Sequence, residues 1–313
     1  MKTYELTYPI SINQQANQVI VLGFFDGLHL GHQQVINTAK KIAQDNGIPL
    51  GLLTYYPHPS LVFGNDSEFQ YLTDKKERES EFERLGVDNL YFLEMTQDFS
   101  NIDGQTFVDQ ILMPLNPRTV VAGFDHTYGA PNTTADMQHL TDFSKGRFEV
   151  IIVEEQQDNS QKISSTNIRK ALSVGDLDTV TTMLGRYYTN RGKVIHGDAR
   201  GRLLGYPTLN VQVAKDHKIP GNGVYITQVK IEGDDNIYQS MTSVGTNPTF
   251  EPGRPITVEV HVLNFDQDVY GKVATVTWIK KLRDQEKFDS AESLIEQLRV
   301  DETNTWNYFN GQK

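Results

Sequence analysis

Up to Leu184 the chain alternates short, uniformly apolar runs with amphipathic stretches. The first run, residues 18–22, ends on Gly23. Val35, Ile36, Ala39, Ile42 and Ala43 then recur at helical spacing, which predicts a helix over about 33–44. Residues 50–55, 89–93, 119–122 and 148–153 are further strand candidates, with helices expected at 73–85, 105–113 and 136–145. Strands without polar alternation are buried on both faces, as parallel strands covered by helices are. The alternation therefore predicts a doubly wound α/β domain built on a parallel sheet.

Beyond Leu184 the texture changes. Residues 191–195, 223–231, 241–244, 257–263 and 272–278 are short β-branched segments with Gly, Pro, Asn and Asp between them. Closely spaced strands joined by turn residues predict an antiparallel barrel or sandwich. One helix, 290–300, closes the chain, with Asp289 or Ser290 as its N-cap. The expected domains are 1–184 and 185–313, joined near 185–190. No internal repeat or low-complexity tract stands out, and the two halves do not resemble each other.

Composition narrows the function classes. At 313 residues, two domains agree with the usual domain size of about 150. A net charge of −11 argues against nucleic acid or an anionic membrane as a partner, since both reward positive charge. Small phosphates stay open, because a local cluster of donors decides their binding. The absence of cysteine excludes disulfides, thiolate metal sites and Cys nucleophiles. No apolar run approaches the ~18 residues that span a bilayer, and Met1-Lys2-Thr3-Tyr4-Glu5 lacks a signal-peptide core. The expectation is a cytoplasmic protein.

Two stretches carry chemistry. The first, Gly23-Phe24-Phe25-Asp26-Gly27-Leu28-His29-Leu30-Gly31-His32, lies between the first strand and the first helix. Gly23 and Gly31 let backbone approach a ligand, and the helix N-terminus supplies free N–H groups. His29 and His32, spaced i, i+3, fall on one side of the helix entrance and can donate to a phosphoryl group in displacement. A plain Gly-rich turn with two solvated histidines is the bland alternative. A zinc site is a rival without H-E-x-x-H spacing or an obvious third ligand. Later, Ile163-Ser164-Ser165-Thr166-Asn167-Ile168-Arg169 opens another helix, where hydroxyls and an arginine can hold a triphosphate or pyrophosphate.

The second stretch, residues 196–210, interleaves glycines and arginines and ends Gly201-Arg202-Leu203-Leu204-Gly205-Tyr206-Pro207-Thr208-Leu209-Asn210. Thr208 and Asn210 share one side of an extended segment, and their oxygens suit Mg²⁺. Further on, Glu259 and His261 share a face opposite Val258, Val260 and Val262. A carboxylate there can take a proton from an attacking hydroxyl, although the pattern alone favours a solvated outer-face Glu.

The Gly23–His32 pattern is the signature of the HxGH nucleotidyltransferase superfamily. Class I aminoacyl-tRNA synthetases share it but pair it with a lysine-bearing K-M-S-K-S-type loop, where this chain has Ser-Ser-Thr and Arg169. The whole chain resembles the bacterial bifunctional riboflavin kinase/FAD synthetase family. Tyr56-Pro57-His58-Pro59, Gly123-Phe124-Asp125, the P-T-x-N element, Gly223-Val224-Tyr225, Gly245-Thr246-Asn247-Pro248-Thr249-Phe250 and 282–289 extend the likeness. The resemblance implies a Rossmann-like nucleotidyltransferase domain followed by a β-barrel kinase domain. It implies two reactions: riboflavin and ATP give FMN and ADP in the second, and FMN and ATP give FAD and pyrophosphate in the first, both with Mg²⁺. It assigns His29 and His32 to the α-phosphate transition state and Ser164, Ser165, Thr166 and Arg169 to a triphosphate clamp. Gly23, Phe25, Gly31, Gly201, Arg202 and Gly205 would line the nucleotide sites. Thr208 and Asn210 would hold the metal, and Glu259 would be the base. Asp125, Arg283 and Glu286 would meet the flavin, within a closing loop that follows Arg283. Riboflavin, FMN and ATP are the implied partners, and oligomeric state stays open.

One departure matters. The family's G-x-D-F-x-F-G reads Gly123-Phe124-Asp125-His126-Thr127-Tyr128-Gly129, followed by Ala130-Pro131-Asn132-Thr133-Thr134 in place of glycine and basic residues. Two further readings follow: one activity retained, with the adenylyltransferase half altered, or a flavin-binding regulator without catalysis. The presence of His29, His32, Thr208, Asn210 and Glu259 together speaks against the regulator. P-T-L-N in place of P-T-A-N leaves both oxygen ligands in place.

Overall fold

The structure, a computed structural model, describes residues 1–62, 69–128, 135–154, 157–158, 161–197, 200–245 and 256–311. The chain forms two compact units, Met1–Ser165 and Thr166–Lys313.

The first unit is built on strands β1 (Lys2–Leu6), β2 (Gln18–Leu22), β3 (Leu50–Tyr56), β4 (Asn89–Glu94), β5 (Pro117–Gly123) and β6 (Glu149–Val153). They form one parallel sheet in the order β1-β4-β3-β2-β5-β6. Alternate residues of a strand face opposite sides. Ile20 and Leu22 accordingly join Leu53, Phe107 and Leu140 on one side, while Val19 and Val21 join Phe25, Ile36 and Phe82 on the other. Each such buried side chain contributes about 1.5–3 kcal/mol relative to exposure. The strand order reverses between β2 and β5, and the crevice beyond the carboxyl ends there is where doubly wound sheets take ligands.

Helix α1 (Leu30–Asn46) begins earlier than its apolar spacing indicated, because His29 caps it: the ring accepts the His32 N–H. A short α2 (Pro59–Val62) precedes α3 (Lys75–Leu85), which Asp74 caps and Gly86 ends. The single helix expected over 105–113 is instead a short α4 (Gly104–Phe107), a π-helical turn Val108–Leu112 and a 3₁₀ turn Met113–Leu115. Pro114 lacks the N–H that an α-helix would return to Gln110, so the regular ladder cannot continue. Helix α5 (Met137–Ser144) covers the sheet before β6, and a small antiparallel pair, β7 (Gln157–Asp158) and β8 (Gln161–Lys162), follows it. Strand β1 gave no apolar run because it is an edge strand with most of its side chains exposed.

Helices α6 (Ser165–Val174) and α7 (Leu177–Leu184) lead to the second sheet. Strands β9 (Tyr188–Ile195), β10 (Leu209–Val213), β11 (Gly223–Ile231), β12 (Ile237–Gly245), β13 (Thr257–Val262) and β14 (Val273–Arg283) close an antiparallel barrel in the order β10-β13-β12-β11-β14-β9. A short α8 (Arg200–Leu203) lies between β9 and β10. Closure leaves no open sheet edge. Inside, Trp278 is fully buried and donates its indole N–H to Asn190 Oδ1 at 2.9 Å. Helix α9 (Ala291–Asn310) starts on a Ser290–Ser293 capping box and runs past the expected 300. The apolar pattern indicated a parallel α/β unit and left barrel or sandwich open for the second; the closed barrel with its terminal helix is the form the family resemblance implied.

Candidate active sites

In the first unit the loop from β2 to α1 is bolted in place before any ligand contact. Phe25, Gly27 and Leu28 all take positive φ, at 57°, 79° and 43°. Non-glycine residues in this region carry strain that surrounding contacts must hold. Asp26 provides them. It is 2% exposed, and its carboxylate accepts the Leu72 and Thr73 N–H groups at 3.0 and 3.1 Å and the Thr73 hydroxyl at 3.2 Å. The Gly27 N–H returns to Thr73 Oγ1 at 3.0 Å, and Ser165 Oγ donates to the Asp26 carbonyl at 2.8 Å. The Phe24 carbonyl accepts Thr54 Oγ1 and Arg78 Nη1, both at 3.0 Å. Phe25 folds over Gly23, where a Cβ would have no room, and packs edge-on against His32 with centroids 5.2 Å apart. Phe25 is thus buried support for the histidine. Gly31 lies under the His29 ring.

His29 and His32 stack with centroids 3.6 Å apart and planes at 19°. His29 Nδ1 accepts the His32 backbone N–H at 3.3 Å, so in the neutral ring the proton sits on Nε2. Burial pushes the His29 pKa down to about 4, with Asp125 opposing and Lys162 assisting. Burial and the neighbouring His29 push His32 well below its ordinary value. Both rings are therefore neutral donors near pH 7. His32 Nδ1 is buried without a hydrogen-bond partner among the described residues, and a group so placed calls for water or ligand. Asp125 pairs with Lys162 at 3.3 Å, and the Lys162 ammonium lies over the exposed Phe124 ring.

Sequence reasoning passed over three participants here: Asp26, Lys162 and Arg78. Arg78 is fully buried, with Phe24, Tyr56 and Phe92 rings around its guanidinium. Asp26 could have been found within the signature, whereas Arg78 lies in an ordinary charged helix segment and gives no signal. Ser164 and Ser165 close the first unit; Thr166 and Arg169 follow on α6 in the second.

In the second unit, Asn210 on β10 lies directly opposite Glu259 on β13. Val258, Val260 and Val262 are buried in the barrel, so Glu259, His261 and Asn210 share the outer face. The Asn210 amide lies against Gly197, where no Cβ would fit. Glu259 Oε1 accepts the Thr257 hydroxyl at 3.2 Å, and His261 Nδ1–H donates to the Pro207 carbonyl at 2.8 Å, next to Thr208. Gly201 and Gly205 shape the turn before Thr208, with the Tyr206 N–H bonded to the Gly201 carbonyl at 2.7 Å, and Arg202 is exposed. Residues 246–250, quoted for the likeness, lie outside the described residues, as do 129–134.

Arg283 is committed elsewhere. Its Nε and Nη2 donate to both carboxylate oxygens of Asp301 on α9 at 2.8–3.1 Å, and Nη1 donates to the Asp284 carbonyl. The guanidinium ties the last strand to the last helix, and Glu286 stands exposed beyond it. Among the described residues no cluster of three His, Asp or Glu could hold a metal. Thr208 and Asn210 offer one hydroxyl and one amide oxygen, which suit a hard cation that keeps waters and substrate phosphates as its other ligands.

A family model described as FAD synthetase matches residues 11–167, and one described as riboflavin kinase matches residues 184–309. A bifunctional riboflavin kinase/FMN adenylyltransferase of Listeria monocytogenes is 42% identical over 312 residues, 99% of this chain and 98% of that protein. The chain belongs to the bifunctional riboflavin kinase/FMN adenylyltransferase family. Its Bacillus subtilis member is 38% identical over 99% of this chain and 98% of its own. A crystal structure from Streptococcus pneumoniae, named a macrolide-efflux protein, superposes with a TM-score of 0.89 at 35% identity, covering 98% of this chain and 99% of that one. Among the described residues no helix here is long and apolar enough to cross a membrane. In this family member the FAD synthetase match contains the stacked histidines and the loop that Asp26 fastens. The riboflavin kinase match contains the Asn210–Glu259 pair.

Proposed function

We propose that the chain makes FAD from riboflavin in two ATP-dependent steps, adenylyl transfer in residues 1–184 and riboflavin phosphorylation in residues 185–313. The reading rests on one observation above others: a stacked, neutral histidine pair at the head of α1, with His32 Nδ1 buried and without a partner among the described residues. In the first unit an FMN phosphate oxygen attacks the α-phosphorus of ATP, and the bond to the bridging oxygen breaks to release pyrophosphate. Charge moves onto the α-phosphoryl oxygens, and His29 Nε2–H and His32 donate to them as neutral groups. Ser164 and Ser165 hold the departing pyrophosphate, with Gly23 and Gly31 giving backbone access. Asp125 faces the flavin.

In the second unit Glu259 accepts the proton of the riboflavin terminal hydroxyl as its oxygen attacks the γ-phosphorus, and ADP leaves. Thr208 and Asn210 would hold Mg²⁺, which supplies charge neutralisation of the ATP phosphates. Gly201, Arg202 and Gly205 take the nucleotide. Arg283, spent on Asp301, positions the 284–289 segment and Glu286 beside the flavin. The cytoplasm is the expected location, with no nucleic-acid or membrane partner.

Incubation with riboflavin, ATP and Mg²⁺, with chromatographic separation of products, should show FMN and then FAD. Neither product appearing sinks the reading. A second reading, kinase activity alone, is favoured by the polar His126 and Tyr128 where the family carries aromatic carbon; FMN accumulating without FAD would establish it.

A further inference from the structure

The strand that carries Glu259 carries a second polar side chain on the same face, His261, two residues on. Glu259 and His261 are half-buried, while Val258, Val260 and Val262 around them are buried. Across from them on β10, Leu209 pairs with Val260 and Asn210 with Glu259. Continuing that antiparallel register by one residue sets Thr208 across from His261. The outer face therefore carries two cross-strand pairs side by side, Asn210 with Glu259 and Thr208 with His261.

His261 takes the carbonyl that precedes Thr208. Its Nδ1 lies 2.8 Å from the Pro207 oxygen. A carbonyl oxygen only accepts, so the proton of the neutral ring sits on Nδ1. Tyr206, 9% exposed, packs its ring against His261 with centroids 5.1 Å apart, and its hydroxyl donates to Glu302 Oε2 at 3.3 Å. The imidazole is thus seated against one ring and donates beyond it.

The identity of residue 207 gives that hydrogen bond its weight. Proline has no N–H, so its backbone can be gripped only at the carbonyl. The peptide from Pro207 to Thr208 is planar, and fixing its oxygen fixes the plane in which the Thr208 nitrogen and Cα lie. Thr208 is β-branched and stiff at χ1, so its hydroxyl follows its backbone. On one side the turn closes through the Tyr206 N–H to the Gly201 carbonyl at 2.7 Å, and a Cβ on Gly201 would come within 3.6 Å of Thr208 Oγ1. On the other side, pairing with β13 begins at Leu209. His261 grips the peptide between the two.

We propose that His261 is a positioning residue for phosphoryl transfer in the second unit. Through the Pro207 carbonyl, its Nδ1–H sets the Thr208 hydroxyl on the same side of the chain as the Asn210 amide, where the two oxygens would share one hard cation. The role rests on reading Thr208 and Asn210 as the Mg²⁺ ligands of a riboflavin kinase.

The tautomer is the first test. Nitrogen NMR of the histidine-labelled full chain should show the neutral His261 ring with its proton on Nδ1; a proton on Nε2 overturns the proposal. His261→Phe keeps a ring against Tyr206 and loses the donor. Removing a group that holds a metal ligand typically weakens metal binding about 10–100-fold. The Mg²⁺ concentration for half-maximal riboflavin phosphorylation should therefore rise by about 10–100-fold in His261→Phe, with the KM for riboflavin within about twofold. FAD formation from supplied FMN should be unchanged, which reports that the chain is folded. His261→Asn, whose amide nitrogen can stand near the place of Nδ1, should recover most of the Mg²⁺ dependence. An unchanged Mg²⁺ dependence in His261→Phe, or His261→Asn behaving no better than it, overturns the positioning role. A crystal structure of His261→Phe should show the Pro207 carbonyl turned and Thr208 Oγ1 displaced; an unmoved Thr208 overturns it as well. If the unaltered chain phosphorylates no riboflavin, the functional reading fails, while the tautomer and the Thr208 placement in the variant still decide whether His261 sets that hydroxyl.

Discussion

In the first unit the two histidines proposed to act come from one uninterrupted segment and are buried or half-buried; in the second the proposed groups meet across two strands and stand half-exposed. His29 and His32 are one helical turn apart, fixed by a loop that Asp26 fastens to Leu72 and Thr73. Asn210 and Glu259 belong to different strands and become neighbours only through β10–β13 register. The first arrangement spends stability to hold neutral donors out of water, which suits stabilising charge on a phosphoryl group. The second sets the Glu259 carboxylate and the Asn210 amide on the outer barrel face, which suits a site that substrate and cation would complete. Stacked buried rings cannot easily charge, whereas a proton acceptor needs contact with the hydroxyl it serves.

The largest effect that would break this comparison comes from Glu259→Gln. As the base, its loss should lower riboflavin phosphorylation by ~10²–10⁴-fold and leave FAD formation from supplied FMN intact. Loss of both activities would show that the sites are not separate. Next, His32→Ala should lower FAD formation by ~10²–10³-fold without touching FMN formation, since a preorganised donor is removed. Steady-state assays of each step from its own substrates check both.

A smaller effect sharpens the account of Arg283. Asp301 is 1% exposed and takes both forks of that guanidinium. Asp301→Asn leaves a part-buried cation unmatched and should cost about 3 kcal/mol in denaturant unfolding of the second unit. It should also raise the KM for riboflavin, as the 284–289 segment loosens. An unchanged stability would mean that Arg283 is free for ligand after all.

The smallest effect concerns protons. His29 is held at about 4 against an ordinary 6.5. As pH falls through that window the unfolded chain takes up a proton that the folded chain refuses. The stability is therefore full above 6.5 and declines toward 4. Histidine NMR should show the His29 and His32 rings neutral at pH 5.5, and denaturant titrations should show the decline. A His29 ring titrating near its ordinary value would place it in water.

The sequence carried much of this. The α/β pattern, the antiparallel strands of the second unit, the Gly23–His32 signature and the P-T-x-N element were legible because spacing within a few residues reports burial and turn chemistry; spacing alone left barrel and sandwich open. Strand β1 was not, because an edge strand with exposed side chains carries no apolar run. The break of the expected 105–113 helix was readable only at Pro114, one residue beyond it. Arg78 lies in a charged helix segment that gives no signal of its burial, yet it is fully buried among aromatic rings.

By itself, then, the sequence determined two stretches of different texture, the candidate residues for phosphate, and the family. Tertiary structure alone decided that the histidines stack and stay neutral, that Asp26 is a fastener, that Asn210 faces Glu259, and that Arg283 is spent on Asp301. The physical reason is range. Periodicity and capping arise among near neighbours, and the chain states them directly. Burial, strand register and the sharing of hydrogen bonds arise between segments far apart, and they exist only once the chain has packed.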